Sequence, residues 1–158
     1  MSALPVHKER IVAAPPEAVF AMFTEPDQLA RWLGATTGLD PRPGGAFGFT
    51  IESGHACRGE YVEVTPYGRV AFTWGWEDVE AMPVPVGSTL VEVTLEPHPD
   101  GTLLRLTHSG LGPDGRLLHA DGWDRFLQRL VAAASGQTAG PDPSAESPQE
   151  ALDRLQGR

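Results

Sequence analysis

Residues 121–133, "DGWDRFLQRLVAA", decide the fold, because they carry the apolar face of a long amphipathic helix. Apolar residues recur here at intervals of three and four, which is the spacing of one helix face. We predict that the helix runs from about residue 116 to 135 and that Gly136 closes it. Gly122 is unexpected within it, because a glycine in a helix interior costs roughly 1 kcal/mol relative to alanine. The predicted buried stripe comprises His119, Trp123, Phe126, Leu127, Leu130 and Ala134.

Residues 38–109, upstream of this helix, have a period of two, which is typical of half-buried strands. Short turns join these strands, so neighbours along the chain must be antiparallel. Because each strand has one apolar face, the sheet is expected to be covered on one side. The residues that share such faces are Phe47, Phe49 and Ile51; Val70, Phe72, Trp74 and Trp76; Val91, Val93 and Leu95; and Leu104, Leu106 and His108.

The N-terminal segment predicts one strand and two short helices. Residues 5–13 alternate and are rich in charge, as in an edge strand. Pro15 and Pro16 suit the start of a helix. Pro26 interrupts the helical spacing, and Gly34 ends the second helix.

This order of elements predicts an α+β domain over residues 1–135. The economical arrangement is a curved antiparallel sheet of about six strands wrapped around the long C-terminal helix, with two short helices after the first strand. Residues 136–158 are predicted to form a flexible polar tail, because 136–149 are small, polar and rich in proline. The final "EALDRLQGR" could form a short helix.

Composition and charge exclude several classes of partner. The 158 residues carry a net charge of −9 with no basic cluster, so nucleic acid is not expected to bind. No stretch approaches the roughly 18 apolar residues of a membrane span, and the N-terminus lacks the apolar run of a signal peptide. We therefore expect a cytoplasmic protein.

No catalytic motif for phosphate, serine or zinc chemistry is present. His108 and His119 fall on faces predicted to be buried, where they could bind a metal or act as acid and base. We favour the alternative, two packed and hydrogen-bonded side chains, because no acidic third ligand has a suitable spacing. No catalytic residue, metal or cofactor is therefore assigned, and the single cysteine, Cys57, is expected to be a packed thiol.

Aromatic side chains are the informative feature of the predicted inward faces. They could simply form the core, since aromatic residues dominate cores. However, glycine lies opposite them at Gly122, with Gly59 as a second candidate, and missing side chains leave space. An apolar cavity with a few polar groups is typical of a ligand site.

Four stretches of the chain, in this order and spacing, resemble a known family. The resemblance is to the helix-grip fold of the START-like (SRPBCC) superfamily and, within it, to the bacterial homologues of the activator of heat-shock-protein-90 ATPase. It covers about residues 6–135. The stretches are "ERIVAAPPEAVFAMFTEPDQLARWLG" (9–34), "GEYVEVTPYGRVAFTWGW" (59–76), "GTLLRLTHSGL" (101–111) and "GWDRFLQRL" (122–130).

The resemblance implies a cavity between the sheet and the long helix, where superfamily relatives hold lipids, hormones or polyketide intermediates. We therefore favour a soluble domain that binds a small hydrophobic or aromatic molecule over an enzyme. The implied ligand-binding residues are Trp32, Phe47, Phe49, Tyr61, Phe72, Trp74, His108, Trp123 and Phe126, to which Gly122 is added because it faces them.

Two alternatives remain open at this point. The first is an enzyme of the polyketide cyclase or hydrolase type, in which His108 with Glu77 or His119 would be acid or base. The second is a protein-interaction module that contacts a chaperone or forms a homodimer. The apolar, proline-rich "EAMPVPVG" at 80–87 could then be a lid over the cavity, a contact surface or a rigid loop.

Overall fold

The computed structural model describes residues 4–36, 38–80, 82–137 and 147–157. It confirms the predicted α+β architecture, in which a curved six-stranded antiparallel sheet packs against a long helix that follows it. The strand order across the sheet is β1-β6-β5-β4-β3-β2. The strands are β1 (Val6–Val12), β2 (Ala46–Thr50), β3 (Ala56–Thr65), β4 (Arg69–Trp74), β5 (Thr89–His98) and β6 (Gly101–Ser109), and the helices are α1 (Pro16–Thr24), α2 (Pro26–Leu29), α3 (Pro113–Ala134) and α4 (Pro148–Leu155).

The strands follow the alternation in the sequence. In β6, every second residue from Thr102 to His108 is buried, while the residues between them are partly exposed. β1 pairs with β6, and its inward face carries charge. Lys8 and Arg10 reach across to Asp124 on α3, with N–O distances of 3.0 and 2.8 Å. The edge strand is thus tied to the helix by ion pairs as well as by apolar packing.

Helix α3 has 22 residues and begins three residues earlier than predicted. Pro113 occupies its first turn, where a missing N–H costs nothing. Trp123, Leu127 and Leu130 are buried as expected. Phe126 and Ala134, by contrast, are only partly buried against the core. The buried stripe is therefore narrower than the sequence predicts, and Phe126 is left at its border.

Helix α4 packs on the N-terminal half of α3. Ser147 and Glu150 form a capping box at its start, and Pro148 follows the cap. Ala151 and Leu152 bury against Leu118 of α3, with Met82 packed beside them. This helix lies where the sequence allows a short helix. The expectation that residues 136–149 are flexible stays a prediction, because 138–146 lie outside the described residues.

Within the described ranges, no helix is long and apolar enough to cross a membrane.

Candidate ligand-binding cavity

A cavity of about 360 Å³ lies between α3, the ends of β2 and β4, and α4. Its inner wall is aromatic and aliphatic, and its rim carries polar and charged side chains. The inner wall comprises Ile51, Trp74, Trp76, Met82, Leu118, His119, Gly122, Trp123, Phe126 and Ala151, and the remaining lining residues are Ser53, His55, Asp121, Arg125, Ser147, Pro148 and Glu150.

Four of the ten residues expected to bind a ligand line this cavity, namely Trp74, Gly122, Trp123 and Phe126. The other six are almost completely buried in the packed core. The rings of Phe47 and Phe72 stack with centroids 4.0 Å apart, so no ligand fits between them. The six residues that are not in the lining are Trp32, Phe47, Phe49, Tyr61, Phe72 and His108.

The polar atoms of two of these six residues are already hydrogen-bonded within the core. The Trp32 indole N–H donates to the carbonyl of Met22 over 2.9 Å, and the Tyr61 hydroxyl donates to the carbonyl of Phe23 over 2.8 Å. Both polar groups are therefore satisfied by helix α1. Because the aromatic rings pack on each other and their polar atoms are hydrogen-bonded, these six residues form part of the packed core.

The two candidate glycines have opposite roles. A Cβ added to Gly122 would meet no atom within 4 Å apart from its own helix backbone and chain neighbours. Because Gly122 lines the cavity, its missing side chain contributes to the empty space. A Cβ on Gly59 would instead collide with the carbonyl of Thr73, so this glycine allows close packing of the backbone.

His119 organises the inner wall of the cavity. Its Nε2 atom lies 3.1 Å from the indole nitrogens of both Trp74 and Trp76, and each indole N–H donates to it. Its Nδ1 atom lies 2.7 Å from the carbonyl oxygen of Gly115, one turn earlier in α3. A carbonyl can only accept, so the network assigns the ring proton to Nδ1.

His108 holds the third tryptophan of the wall. The Trp123 indole N–H donates to Nδ1 of His108 over 3.0 Å, which places the ring proton on Nε2. Nε2 then donates to the Thr89 hydroxyl over 2.8 Å, and that hydroxyl donates to the carbonyl of Trp74. The chain of donors and acceptors closes with every group satisfied.

Both imidazoles are neutral in this setting. Burial lowers the pKa of His119 to about 4. Burial, together with the neighbouring His119, lowers the pKa of His108 to about 2. The lone pair of each ring already accepts hydrogen bonds from indole N–H groups, two at His119 and one at His108, so neither ring is placed to take a proton from a substrate.

The other candidate reactive groups are not gathered at the cavity. Glu77 is exposed and pairs with Arg58 at 3.3 Å. Cys57 is buried, and burial raises the pKa of its thiol well above the usual range. In the part of the chain that the structure describes, no three His, Cys, Asp or Glu side chains are close enough to hold a metal ion. The cavity lining includes neither Glu77 nor Cys57.

The rim of the cavity is charged and balanced. Asp121 forms ion pairs with Arg125 of α3 at 3.4 Å and with Arg154 of α4 at 3.1 Å. His55 lies 3.6 Å from Asp78, which is not itself in the lining. The Glu150 carboxylate caps its own helix through the Ser147 N–H. Polar groups therefore face the outside of the cavity, while its inner end is apolar.

Several lining residues were missed at the level of sequence. Trp76 and His119 lie on faces predicted to be inward, but only their neighbours Trp74 and Trp123 were assigned to the site. Met82 belongs to the proline-rich loop, where Val84 is buried and its carbonyl accepts from the Trp76 backbone N–H. The contribution of α4 was signalled by Ser147 and Glu150, whose spacing is that of a capping box.

The family model for activator of Hsp90 ATPase homolog 1-like protein matches residues 13–135. No curated protein matches the chain significantly. Among solved structures, the solution structure of an AHSA1-like protein from Rhizobium etli is 39% identical, with a TM-score of 0.66 over 91% of this chain and 92% of that one.

Two more distant structures share the fold. A putative protein in the dynemicin biosynthetic locus is 24% identical, with a TM-score of 0.74 over 89% of this chain. This chain spans about half of that protein, 51% of its length. The Aha1 dimer from Colwellia psychrerythraea is 20% identical, with a TM-score of 0.68 over 84% of this chain and 96% of that one.

The family model covers most of the chain, including β2 to β6, α1, α2 and α3, while β1 and α4 lie outside the matched range. The Rhizobium etli protein extends the similarity over nearly the full length of both chains. The resemblance noted from the four sequence stretches is confirmed: the chain belongs to the family of activator of Hsp90 ATPase homolog 1-like proteins, which has the START-like fold.

Proposed function

We propose that this protein binds a small, largely apolar molecule in the cavity between α3, the sheet and α4. The observation that carries the proposal is the empty volume of about 360 Å³ beside Gly122, walled by three tryptophans and Phe126. Ligand sites are typically concave, mainly apolar and equipped with few polar groups, and they start at about 300 Å³. The cavity has each of these properties.

The separation of polarity suggests an amphiphilic ligand. An apolar body fits against the tryptophans at the inner end, and a polar or charged group fits at the rim near Arg125 and His55. Medium-chain fatty acids and fused aromatic acids have this form. The three wall tryptophans make aromatic molecules reasonable members of a first screen.

Thermal shift and isothermal titration calorimetry with decanoate, dodecanoate and 2-naphthoate test the proposal. Binding is expected to raise the melting temperature, and above the Kd this rise should grow with the logarithm of the ligand concentration. It is also expected to change the emission of the wall tryptophans, for which the non-absorbing decanoate is the suitable titrant. A complete lack of response to all three compounds would contradict the proposal for this ligand class.

Gly122→Leu is the informative variant, because its side chain would enter the cavity. Gln128→Leu is the matched control, since Gln128 is an exposed position of the same helix. The first variant is expected to lose binding and the second to keep it. Equal binding by both would show that the ligand occupies another place.

A cytoplasmic location and contact with a chaperone or a second copy stay predictions. The relative from Colwellia psychrerythraea is described as a dimer. Light scattering coupled to size-exclusion chromatography, with and without ligand, measures the oligomeric state directly.

A further inference from the structure

The tryptophans of the cavity wall have no hydrogen-bonding capacity left for a ligand. An indole nitrogen is a donor only, and each of the three indole N–H groups in the wall already has an acceptor. His119, which is itself part of the wall, has used its lone pair on Trp74 and Trp76 and its N–H on Gly115. The inner end is therefore apolar even though it contains three indoles and an imidazole.

We propose that His119 is a positioning residue that sets the ligand specificity of the cavity. It holds Trp74 and Trp76 through one shared acceptor atom, and in doing so it makes the inner wall inert to hydrogen bonding. The cavity then selects molecules whose buried end is apolar and rejects analogues with a hydroxyl or carbonyl group there. This inference rests on the proposed function, because it concerns the same cavity.

The rejection has a simple physical cause. A hydroxyl group at the inner end would lose its hydrogen bonds to water and find no partner in the wall. An unsatisfied buried polar group costs about tenfold or more in affinity. Replacing His119 with leucine would release two indole N–H donors, and these could then bind an acceptor on the ligand.

A matched pair of probes separates the two ends of the ligand. Both 2-naphthoate and 6-hydroxy-2-naphthoate carry a carboxylate that belongs at the charged rim, and they differ only by a hydroxyl at the opposite end. Calorimetry on the full chain is expected to give at least a tenfold preference for 2-naphthoate. In His119→Leu the preference should fall towards one or reverse. His119→Gln, whose carbonyl oxygen can replace Nε2 as acceptor, should restore it.

A measurement without ligand tests the positioning role independently. Long-range ¹H–¹⁵N spectra of the wild-type protein report which nitrogen of His119 carries the proton. The expected result is the Nδ1–H form, with both indole resonances of Trp74 and Trp76 shifting together in His119→Leu. This readout on the wild type needs no variant to fold.

The outcomes are distinct. An Nε2–H form of His119, or a probe preference that is the same in the wild type and in His119→Leu, would overturn the inference. If neither naphthoate binds while the Nδ1–H form is found, the proposed function fails for aromatic acids together with the specificity. In that case the positioning of the two tryptophans stands. A wild type that prefers the hydroxylated probe would refute the specificity while leaving the proposed function intact.

Discussion

Gly122→Ala is the sharpest test of how the cavity is built. An alanine Cβ at this position meets nothing within 4 Å outside its own turn, so the substitution causes no collision. The helix interior should gain roughly 1 kcal/mol from the change, since glycine loses more backbone entropy on folding. For a chain of this length that corresponds to about 2–4 °C in the melting temperature.

The assay is urea unfolding followed by circular dichroism, with the midpoint compared at constant slope. Gly115→Ala in the same helix is the matched control. Its Cβ would come to 3.2 Å from a Val84 methyl and 3.4 Å from a Leu111 methyl. Those side chains must shift, so its gain in helix propensity should be largely offset.

A destabilised Gly122→Ala would refute the reasoning. A loss of stability would mean that the backbone of α3 packs closely at this point, as it does around Gly59. An unchanged ligand affinity in Gly122→Leu would refute the placement of Gly122 in the cavity wall, because the leucine side chain should fill the cavity. A gain in stability in Gly122→Ala together with a loss of ligand affinity in Gly122→Leu is therefore expected only if Gly122 is part of the cavity wall.

Three further tests address the packed core, the histidine network and α4. Phe72→Ala should cost roughly 3–5 kcal/mol and leave the Kd of the folded protein unchanged, whereas Phe126→Ala should weaken binding at a smaller cost in stability; urea unfolding and calorimetry measure both. Because burial lowers the pKa of His119 to about 4, the unfolded chain binds a proton below its ordinary pKa of about 6.5 that the folded chain does not. Stability should thus be full above pH 6.5 and fall by roughly 3 kcal/mol towards pH 4 on this account, and unfolding curves of His119→Gln should lack that part of the slope. Leu152→Ala should detach α4 and speed amide exchange over residues 147–157, at a cost of about 1–2 kcal/mol, while the exposed Gln149→Ala should do neither; no difference between them would mean that the packing of Leu152 does not hold the helix.

The fold could be predicted because its elements are long and strongly periodic. The alternation in β6 and the three-four spacing around Trp123 each leave one way to bury the apolar residues. Antiparallel pairing then follows from the short turns. Such local patterns are enough to place six strands and α3 in the correct order.

The cavity could not be placed as accurately, because a face assignment says which side of the sheet a residue is on and not how deep it lies. Phe72 and Trp74 share one face and are two residues apart. The first stacks on Phe47, with ring centroids 4.0 Å apart, while the second borders empty space. Only the three-dimensional arrangement of α1, α3 and α4 over the sheet decides between these environments.

Helix α4, in the C-terminal tail, is the other element whose contribution could not be judged from the sequence. A helix of eight residues is marginal by itself, and by that reasoning α4 receives little weight. Two features compensate for its length: the capping box at Ser147 and the burial of Leu152 against α3. Because α4 supplies part of the rim, the cavity is bounded by a segment outside the matched range 13–135. Substitutions in α4 would therefore change the mouth of the cavity without changing the sheet or α3.

Under the proposed function, Gly122 connects the stability of the fold with ligand binding. The fold itself does not require a glycine there, since no neighbouring atom would oppose a side chain. A glycine here costs the helix roughly 1 kcal/mol relative to alanine, and the unfilled cavity beside it lacks apolar packing. Two independent contributions to folding stability are therefore missing at one place. Such losses are usual where activity needs the space or the flexibility. The hydrogen-bond-inert wall beside Gly122 fits the same reasoning, because His119 satisfies the indoles without filling the volume they enclose. A ligand that completes this packing would recover the stabilisation that the empty chain lacks, so its affinity and its effect on the melting temperature should increase together with the apolar area that it buries.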